Sequence, residues 1–309
     1  MTRTESAPRT RALPARRGRA KPWNQRLAPY LFVLPNMLVF GVFIIYPALN
    51  SFNISLYNSN NGRTFVPVGD RNYRRLLTDE EFWQAAGSTV IYVLAFVVLS
   101  TAASIGLAML LTKPIRARGF FRAVFFLPVL LSPVVVGLLW GWILERRSGA
   151  LNAILGSLGL PEPGWLVSGP LALGATIFVG TWMHAGFYTL IMMAGLQAID
   201  SSYYEAAHID GAGAWHRFRH ITWPLLRPTT LVVVILSMIA GFQSFDFIYT
   251  LSGGGPLGAT TLIVQYIYEH AFQSPIQYGL ASAGSVVLFC TIFGLTVLNF
   301  LYGRRKESM

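Results

Sequence analysis

The sequence is poor in charged residues, in cysteine and in lysine. Only 12% of its 309 residues are charged, about half of the roughly 25% found in soluble domains. A single cysteine, Cys290, excludes an internal disulfide framework and a thiolate metal cluster. None of the three lysines (Lys21, Lys113 and Lys306) lies in a glycine-rich Walker A loop, and serine-hydrolase and zinc-protease motifs are absent. We therefore expect no ATP hydrolysis and no other enzymatic activity from this chain.

The sequence is rich in apolar residues instead. It is 53% hydrophobic, with 21 Phe and 8 Trp. Six apolar runs each reach roughly 20 residues, the length that a helix needs to cross a bilayer core of about 30 Å. The runs lie at about residues 29–50, 88–112, 120–143, 170–193, 228–250 and 280–302. The sequence predicts an all-α, multi-pass protein of the cytoplasmic membrane with six transmembrane helices.

The basic residues predict the orientation of these spans. If the N-terminus is cytoplasmic, 18 of the 24 Lys and Arg residues lie on the cytoplasmic side and 6 on the outer side. This bias follows the positive-inside rule and predicts that both termini are cytoplasmic. It also accounts for the net charge of +11 without a nucleic-acid partner. We divide the chain into a disordered basic tail (1–27), a transmembrane domain (28–303) and a short cytoplasmic tail (304–309).

The segment between spans four and five carries helix start and stop signals. Ser202 and Glu205 have the spacing of a capping box, which marks a helix start. Gly211 suits the residue that follows a helix C-terminus. A second short helix is predicted over 214–220, and Pro228 is predicted to begin span five. The segment should therefore form a rigid pair of short helices across the cytoplasmic face.

The same segment resembles a family signature. The run Glu205-Ala206-Ala207, followed by Asp210-Gly211-Ala212 and later by Pro224, is similar to the "EAA" motif of binding-protein-dependent ABC importer permeases. In that family the motif forms a helix that contacts an ATPase subunit, so we name residues 199–225 the coupling segment. The residues that the resemblance implies for this contact are Glu205, Ala206, Ala207, Asp210, Gly211 and Pro224. Glu205 would be its polar anchor, and Gly211 would permit the turn between the two short helices.

Other stretches resemble the carbohydrate branch of that family, in particular the first permease subunit of the maltose and glycerol-phosphate type. They lie at 120–133, 182–197, 245–256 and 278–283, and the whole resemblance covers about residues 28–303. It implies the type I ABC importer fold and a permease subunit that moves a sugar or sugar derivative by alternating access. The implied partners are a second homologous permease, two ATP-binding cassette subunits that hold ATP and Mg²⁺, an extracytoplasmic sugar-binding protein, the sugar and membrane lipid. No cofactor is expected in this chain itself.

Candidate substrate-pathway residues follow from position against the family's pocket and from the needs of a sugar, which are hydroxyl partners and flat apolar faces. On span four they share one helix face, and two more lie on span five. They are Gly180, Met183, His184, Phe187, Ser237 and Gly241. The alternative is helix packing, because small residues let membrane helices approach one another.

Asp246 is a further pathway candidate. It lies 18 residues beyond Pro228, and at 1.5 Å per residue this places it about 27 Å along a continuous helix, near the outer interface. Intramembrane carboxylates are costly and usually functional. We expect an outer gate or a contact with the binding protein, and the alternative is a merely solvated carboxylate.

Rival interpretations fit the sequence less well. A permease for an oxyanion would need cationic groups, and the spans lack Lys and Arg at mid-depth. A membrane enzyme or ion-motive transporter is disfavoured by the single intramembrane carboxylate and by the coupling segment. His216 and His220 have a spacing that metal ligands can use, but beside Arg217 and Arg219 they indicate an ATPase-facing surface, and no metal site is predicted. Gly137 and Gly141 predict close helix packing in span three.

Overall fold

The structure is a computed structural model that describes residues 23–112 and 118–307. The first 22 residues of the predicted basic tail lie outside the described residues. Helix begins at Trp23, inside the predicted tail, and the last helix continues to Glu307, beyond the predicted boundary at 303. The described residues fall into two units, one that ends at residue 50 and one that begins at residue 51, and each is described separately.

Helices make up most of both units. The first unit contains α1 (Trp23–Phe40), a π-helical turn (Gly41–Ile45) and the beginning of α2 (Tyr46–Ile54). In the second unit, a short antiparallel hairpin, β1 (Tyr57–Asn58) and β2 (Val66–Pro67), precedes the remaining helices. These are α3 (Arg71–Thr78), α4 (Glu80–Thr112), α5 (Arg118–Leu130), α6 (Pro133–Ile143), α7 (Ala150–Ser157), α8 (Gly169–Gln197), α9 (Ser201–Ile209), α10 (Ala214–Arg217), α11 (Trp223–Phe242), α12 (Asp246–Ser252), α13 (Ile263–Phe272) and α14 (Tyr278–Glu307).

Five of the six predicted spans are present as long helices. Within the described ranges, the helical stretches long and apolar enough to cross a membrane are 29–54, 80–112, 169–197, 214–242 and 278–301. The bent pair α5–α6 brings the number to six if its two helices are counted as one span. Helix α4 begins eight residues before the predicted boundary at 88, because Glu80 and Glu81 place negative charge on its first turn.

Span three is broken, whereas the sequence analysis predicted one helix over 120–143. Helices α5 and α6 meet at an angle of 104°. Pro133 is the first residue of α6, and Ser132 before it has the extended conformation that a following proline favours. The two pieces have 13 and 11 residues, so at 1.5 Å per residue neither alone crosses a core of about 30 Å.

Span five also differs from its predicted range of 228–250. The helix begins at Ala214 and contains Pro228 in its interior, after a π-helical turn at Phe218–Thr222. It ends at Phe242, and Phe245 has a non-helical backbone. The prediction that Pro228 begins the span is therefore wrong, because prolines are tolerated inside membrane helices whose neighbours satisfy the backbone.

The core of the second unit is formed where α4, α8 and α11 pack together around buried aromatic and methionine side chains. Glycines permit the close approach. A Cβ on Gly180 would lie 2.5 Å from the Tyr92 hydroxyl oxygen, and one on Gly241 would lie 3.2 Å from the Phe96 ring. Small residues thus set the helix spacing, as is usual where lipid supplies no hydrophobic force between helices.

The end of the bundle away from α9 is tied together by polar contacts. The Asn72 side-chain amide donates to the carbonyl oxygens of Ser55 and Tyr57, at 2.8 and 2.9 Å. The Tyr266 hydroxyl donates to Asp79 at 2.6 Å. Burial, and then this bond to a carboxylate, raise the pKa of the Tyr266 phenol. The Asn72 bonds hold α3 against the end of α2 and β1, and the Tyr266 bond holds α13 against Asp79, the residue before α4.

Candidate coupling segment and substrate cavity

Helix α9 is a helix of nine residues with a polar cap at its start. The capping residue is Asp200, whose Oδ1 accepts from the Ser202 backbone N–H at 2.9 Å. Bonds from Ser202 lower the pKa of the exposed Asp200 carboxyl below its ordinary value. The predicted capping box of Ser202 with Glu205 is therefore wrong, because the N-cap is Asp200, two residues earlier, and its side chain accepts from the Ser202 N–H.

The end of α9 is a left-handed glycine turn, as predicted for Gly211. Its φ is +75°, a conformation that favours glycine. The Ala212 N–H donates to the Ala207 carbonyl at 2.8 Å, and the Gly211 N–H donates to the His208 carbonyl at 3.1 Å. These two bonds form a Schellman motif. Helix α9 is thus closed at both ends, and its direction is set by local hydrogen bonds.

Most predicted contact residues lie on the outer surface of the coupling segment. Glu205, Ala206, Asp210 and Gly211 are exposed, and Ala207 is half-buried. Pro224 is instead half-buried in the first turn of α11. The surface that the structure brings together is therefore formed by α9 and its terminal turn.

Two exposed apolar side chains of the coupling segment were missed by the sequence analysis. Ile209 is 86% exposed on α9, four residues beyond Glu205, and Trp215 is 71% exposed on α10, where its ring stacks on Phe218. The sequence does carry a signal for Ile209. It lies four residues after Glu205, and residues with this spacing lie on the same face of a helix. Exposed apolar groups beside polar ones are typical of protein interaction sites.

A cavity of about 210 Å³ lies where two helix breaks meet. Pro133 from the α5–α6 break and the residues between α11 and α12 form part of its wall, opposite the middle of α8. In membrane proteins, irregular backbone at depth is confined to buried sites and to the walls of cavities. Its principal lining residues are Pro133, Met183, His184, Gln243, Ser244 and Asp246. We call it the central cavity.

Three predicted pathway residues, Met183, His184 and Asp246, line the central cavity. The His184 Nδ1 atom lies 3.0 Å from the Gly180 carbonyl oxygen, and its ring packs edge-on against Phe96. That bond holds the imidazole in place along its own helix.

The helix that contains Asp246 differs from the predicted one. It is the first residue of α12, not a residue near the end of a continuous fifth span. The carboxylate is exposed, at a helix start where negative charge is favourable.

The other four predicted pathway residues do not line the central cavity. Gly180 and Gly241 are buried in contacts with α4. Ser237 is fully buried, and its hydroxyl donates to the Val234 carbonyl at 3.1 Å. Phe187 is 42% exposed on α8. The structure therefore supports the packing alternative for the two glycines and the serine.

An aromatic cluster adjoins the central cavity. The Phe245 ring lines the cavity and lies 4.9 Å from the Tyr268 ring and 5.3 Å from the Tyr249 ring, centroid to centroid. Phe272 continues the cluster at 5.3 Å from Tyr268. Sequence analysis did not assign these residues to the pathway, because α12 and α13 are separate short helices whose meeting is a tertiary feature.

Gly137 and Gly141 lie at a helix contact, as predicted. A Cβ on Gly137 would collide with the Thr250 side chain and the Phe247 carbonyl of α12, and one on Gly141 would lie 3.8 Å from the Leu251 carbonyl oxygen. The Thr250 hydroxyl also reaches the Val134 carbonyl at 3.3 Å. The two halves of the helix-break region, α6 and α12, are thus held together directly.

Apolar spans, a cavity between broken helices and a capped surface helix define a multi-pass membrane protein with an interaction surface at one end. The family described as "Binding-protein-dependent transport system inner membrane component" matches residues 101–306, and the chain belongs to this family. It is a membrane component of a transport system, and the ABC transporter permeases described next are its relatives.

The curated relatives are similar along nearly their whole length. The trehalose/maltose transport system permease protein of Thermococcus litoralis is 37% identical over 283 residues, which cover 90% of this chain and 94% of the relative. The lactose transport system permease protein of Rhizobium radiobacter is 35% identical over the same shares. The sn-glycerol-3-phosphate transport system permease protein of Agrobacterium fabrum is 32% identical, covering 91% and 96%.

Solved structures share the fold. A chain of a bacterial ABC transporter involved in the import of the acidic polysaccharide alginate aligns with a TM-score of 0.79 and 22% identity, over 91% of this chain and 97% of that chain. The same kind of transporter in complex with an alginate pentasaccharide-bound periplasmic protein gives a TM-score of 0.80 at 22% identity, over 93% and 98%. The predicted type I ABC importer permease fold is therefore confirmed.

Proposed function

We propose that this chain is the permease subunit of an ATP-driven importer that moves a sugar or sugar derivative across the cytoplasmic membrane by alternating access. The observation that carries the proposal is the central cavity at two helix breaks, joined to an aromatic cluster. Its polar groups, His184, Gln243 and Asp246, can bond to hydroxyl groups, and the adjoining rings offer flat apolar faces. The named transport systems of the relatives support the same substrate class.

The charge of the cavity wall argues against an oxyanion as substrate. No Lys or Arg is among the described residues that line the cavity, and Asp246 carries negative charge. An anion bound there would lack a cationic partner and face a carboxylate. Neutral sugars or sugar derivatives with further polar groups fit this wall better.

The energy source in this proposal is a pair of partner ATPases that bind ATP and Mg²⁺, since the chain has no Walker A loop. The exposed surface of α9, with Glu205, Ile209 and Gly211, would be held in a groove of an ATPase subunit. Closure of two ATPases on nucleotide would draw together α9 of this chain and that of a second, homologous permease. The bundle would then open to a loaded extracytoplasmic binding protein, and hydrolysis would reset it.

Uptake by cells tests the substrate class directly. A strain deleted for this gene and complemented with it is assayed with radiolabelled trehalose, maltose and lactose, and with sn-glycerol 3-phosphate as an anionic comparison. We expect ATP-dependent uptake of at least one of the three sugars, lost in the deletion strain. His184→Ala and Asp246→Asn should each lower that uptake by about tenfold or less, the effect of losing one hydrogen bond to substrate. The control is Thr176→Val on α8, whose hydroxyl donates to the carbonyl of Ala172 in its own helix. Equal uptake of all four compounds with and without the gene would contradict the proposal.

A further inference from the structure

The helix that leads from the coupling segment into span five contains a π-helical turn at Phe218–Thr222. The Trp223 N–H donates to the Phe218 carbonyl, five residues earlier. Pro224 follows directly, and it has no N–H to donate to the His220 carbonyl four residues before it. The π-turn has one residue more than an α-helical turn, and this accommodates the hydrogen bond that Pro224 cannot make. Such π-turns are frequent at functional sites, because the helix can change its local winding there.

A hydrogen bond joins α9 to this π-turn. The Tyr204 hydroxyl lies 2.9 Å from the Thr222 hydroxyl oxygen. Thr222 is 5% exposed and Tyr204 is half-buried. The Thr222 hydroxyl also faces the Arg217 carbonyl at 3.5 Å, a long contact. In the part of the chain that the structure describes, Tyr204–Thr222 is the side-chain hydrogen bond that connects α9 with the helix over 214–242.

The covalent connection between α9 and that helix is short and contains two glycines, Gly211 and Gly213. Neither glycine has atoms within 4 Å of a Cβ position, so the turn makes no packing contacts at these positions. Movement of α9 can therefore be taken up by the turn unless a second link transmits it. The two faces of α9 can make separate contacts. Tyr204 and Ala207 are half-buried on the face toward the protein, while Glu205 and Ile209 are exposed.

The other end of the same helix reaches the central cavity. Ala240 of α11 lines the cavity, and it lies 18 residues beyond Thr222, which is about 27 Å along a helix. A displacement delivered at Thr222 would therefore act on the cavity through one continuous element. Packed side chains, hydrogen bonds and rigid helices can carry energetic coupling over such distances, and this helix is continuous from the π-turn to the cavity wall.

We propose that Tyr204 and Thr222 are positioning residues that form a joint, through which movement of α9 is transmitted to span five and so to the central cavity. This inference rests on the proposed function. Neither residue contacts the ATPase surface or the substrate in this account. Their role is to make α9 and the base of α11 move as one body.

The joint is tested in the intact importer, purified with its ATPases and binding protein and reconstituted in proteoliposomes. Tyr204→Phe and Thr222→Val each remove one hydroxyl with little change in shape. We expect each to raise the number of ATP molecules hydrolysed per sugar imported by about threefold to tenfold, the range for loss of one hydrogen bond. The double variant should show no further increase, because both changes remove the same bond. The sugar is the member of the uptake panel that the unmodified importer transports.

Matched controls separate the joint from general destabilisation. Thr176→Val alters a buried threonine of α8 whose hydroxyl donates to the Ala172 carbonyl. Thr230→Val alters a buried threonine of α11 whose hydroxyl donates to the Leu226 carbonyl. Both controls should keep the stoichiometry of the unmodified importer, and all variants should co-purify with equal amounts of ATPase. An unchanged stoichiometry in both Tyr204→Phe and Thr222→Val, or independent effects that multiply in the double variant, would overturn the joint alone. Absence of ATP-driven uptake by the unmodified complex would overturn the proposed function, and the joint with it.

Discussion

Among single residues, the two glycines beside α9 play different conformational roles. Gly211 has a φ of +75°, whereas Gly213 has an ordinary extended backbone, with φ −68° and ψ 168°, as the residue before α10. A Cβ atom added at either position meets nothing within 4 Å. The two sites therefore differ in backbone strain and not in packing.

Serine at each position measures that strain. Gly211→Ser places an L-residue in the left-handed region, at a cost of about 1–2 kcal/mol. Gly213→Ser should be neutral or favourable, because serine is preferred at a helix N-cap. If the turn at Gly211 presents α9 to an ATPase, Gly211→Ser should weaken ATPase binding by about fivefold to thirtyfold. The measurement is the amount of ATPase that co-purifies with each variant. Equal retention by the two serine variants would show that the Gly211 turn is unimportant for the contact.

The sequence predicted some cavity residues and not others, for a physical reason. Met183 and His184 lie at the middle of α8, and their approximate depth follows from the position of an apolar run. Gly180 and Ser237 lie at similar depths but face α4 or their own helix. Which face of an almost wholly apolar helix is turned to a cavity depends on its neighbours, and hydrophobic periodicity carries little information about that.

At the scale of elements, apolar length predicted the number of spans but not their breaks. Charge-poor runs of about 20 residues are a sufficient signal for a span. The break before Pro133 and the end of α11 at Phe242 depend on tertiary contacts, because proline is also tolerated inside intact membrane helices such as α11, which contains Pro228. The start of α9 shows the same limit on a smaller scale. Asp200 and Ser202 lie two residues apart and are both suitable caps by residue type, and the structure uses Asp200.

The contact between α6 and α12 gives an element-scale prediction. Gly137→Ala would press a methyl group into the Thr250 side chain and the Phe247 backbone, whereas Gly141→Ala would make an ordinary contact with the Leu251 carbonyl. We expect Gly137→Ala to lower the free energy of unfolding by about 1–3 kcal/mol, as overpacking does. Gly141→Ala should have little effect. Thermal unfolding of the two purified variants in detergent, followed by tryptophan fluorescence, measures the difference. Equal unfolding temperatures would mean that α12 does not pack on α6 as described.

For the whole molecule, the parts lie in an order that suits a transport subunit. The capped helix α9 lies at one end of the bundle, the central cavity lies at the middle of α8, and α3 and α13 form a polar platform at the other end. One helical stretch, 214–242, runs from the coupling segment to the cavity wall. This helical stretch therefore connects the coupling segment, where a partner could apply force, with the central cavity, where a substrate would pass.

The central claim is that α9 is held by an ATPase that drives transport, and affinity purification of the full-length chain from membranes in mild detergent tests it most directly. The account predicts that the chain is recovered with one homologous permease and two ATPase subunits, and that this complex hydrolyses ATP. Replacing Glu205 by Lys on the exposed face of α9 should reduce the recovered ATPase, while Thr176→Val in the buried part of α8 should not. Recovery of the chain without any ATPase, under conditions that keep the second permease bound, would contradict the account.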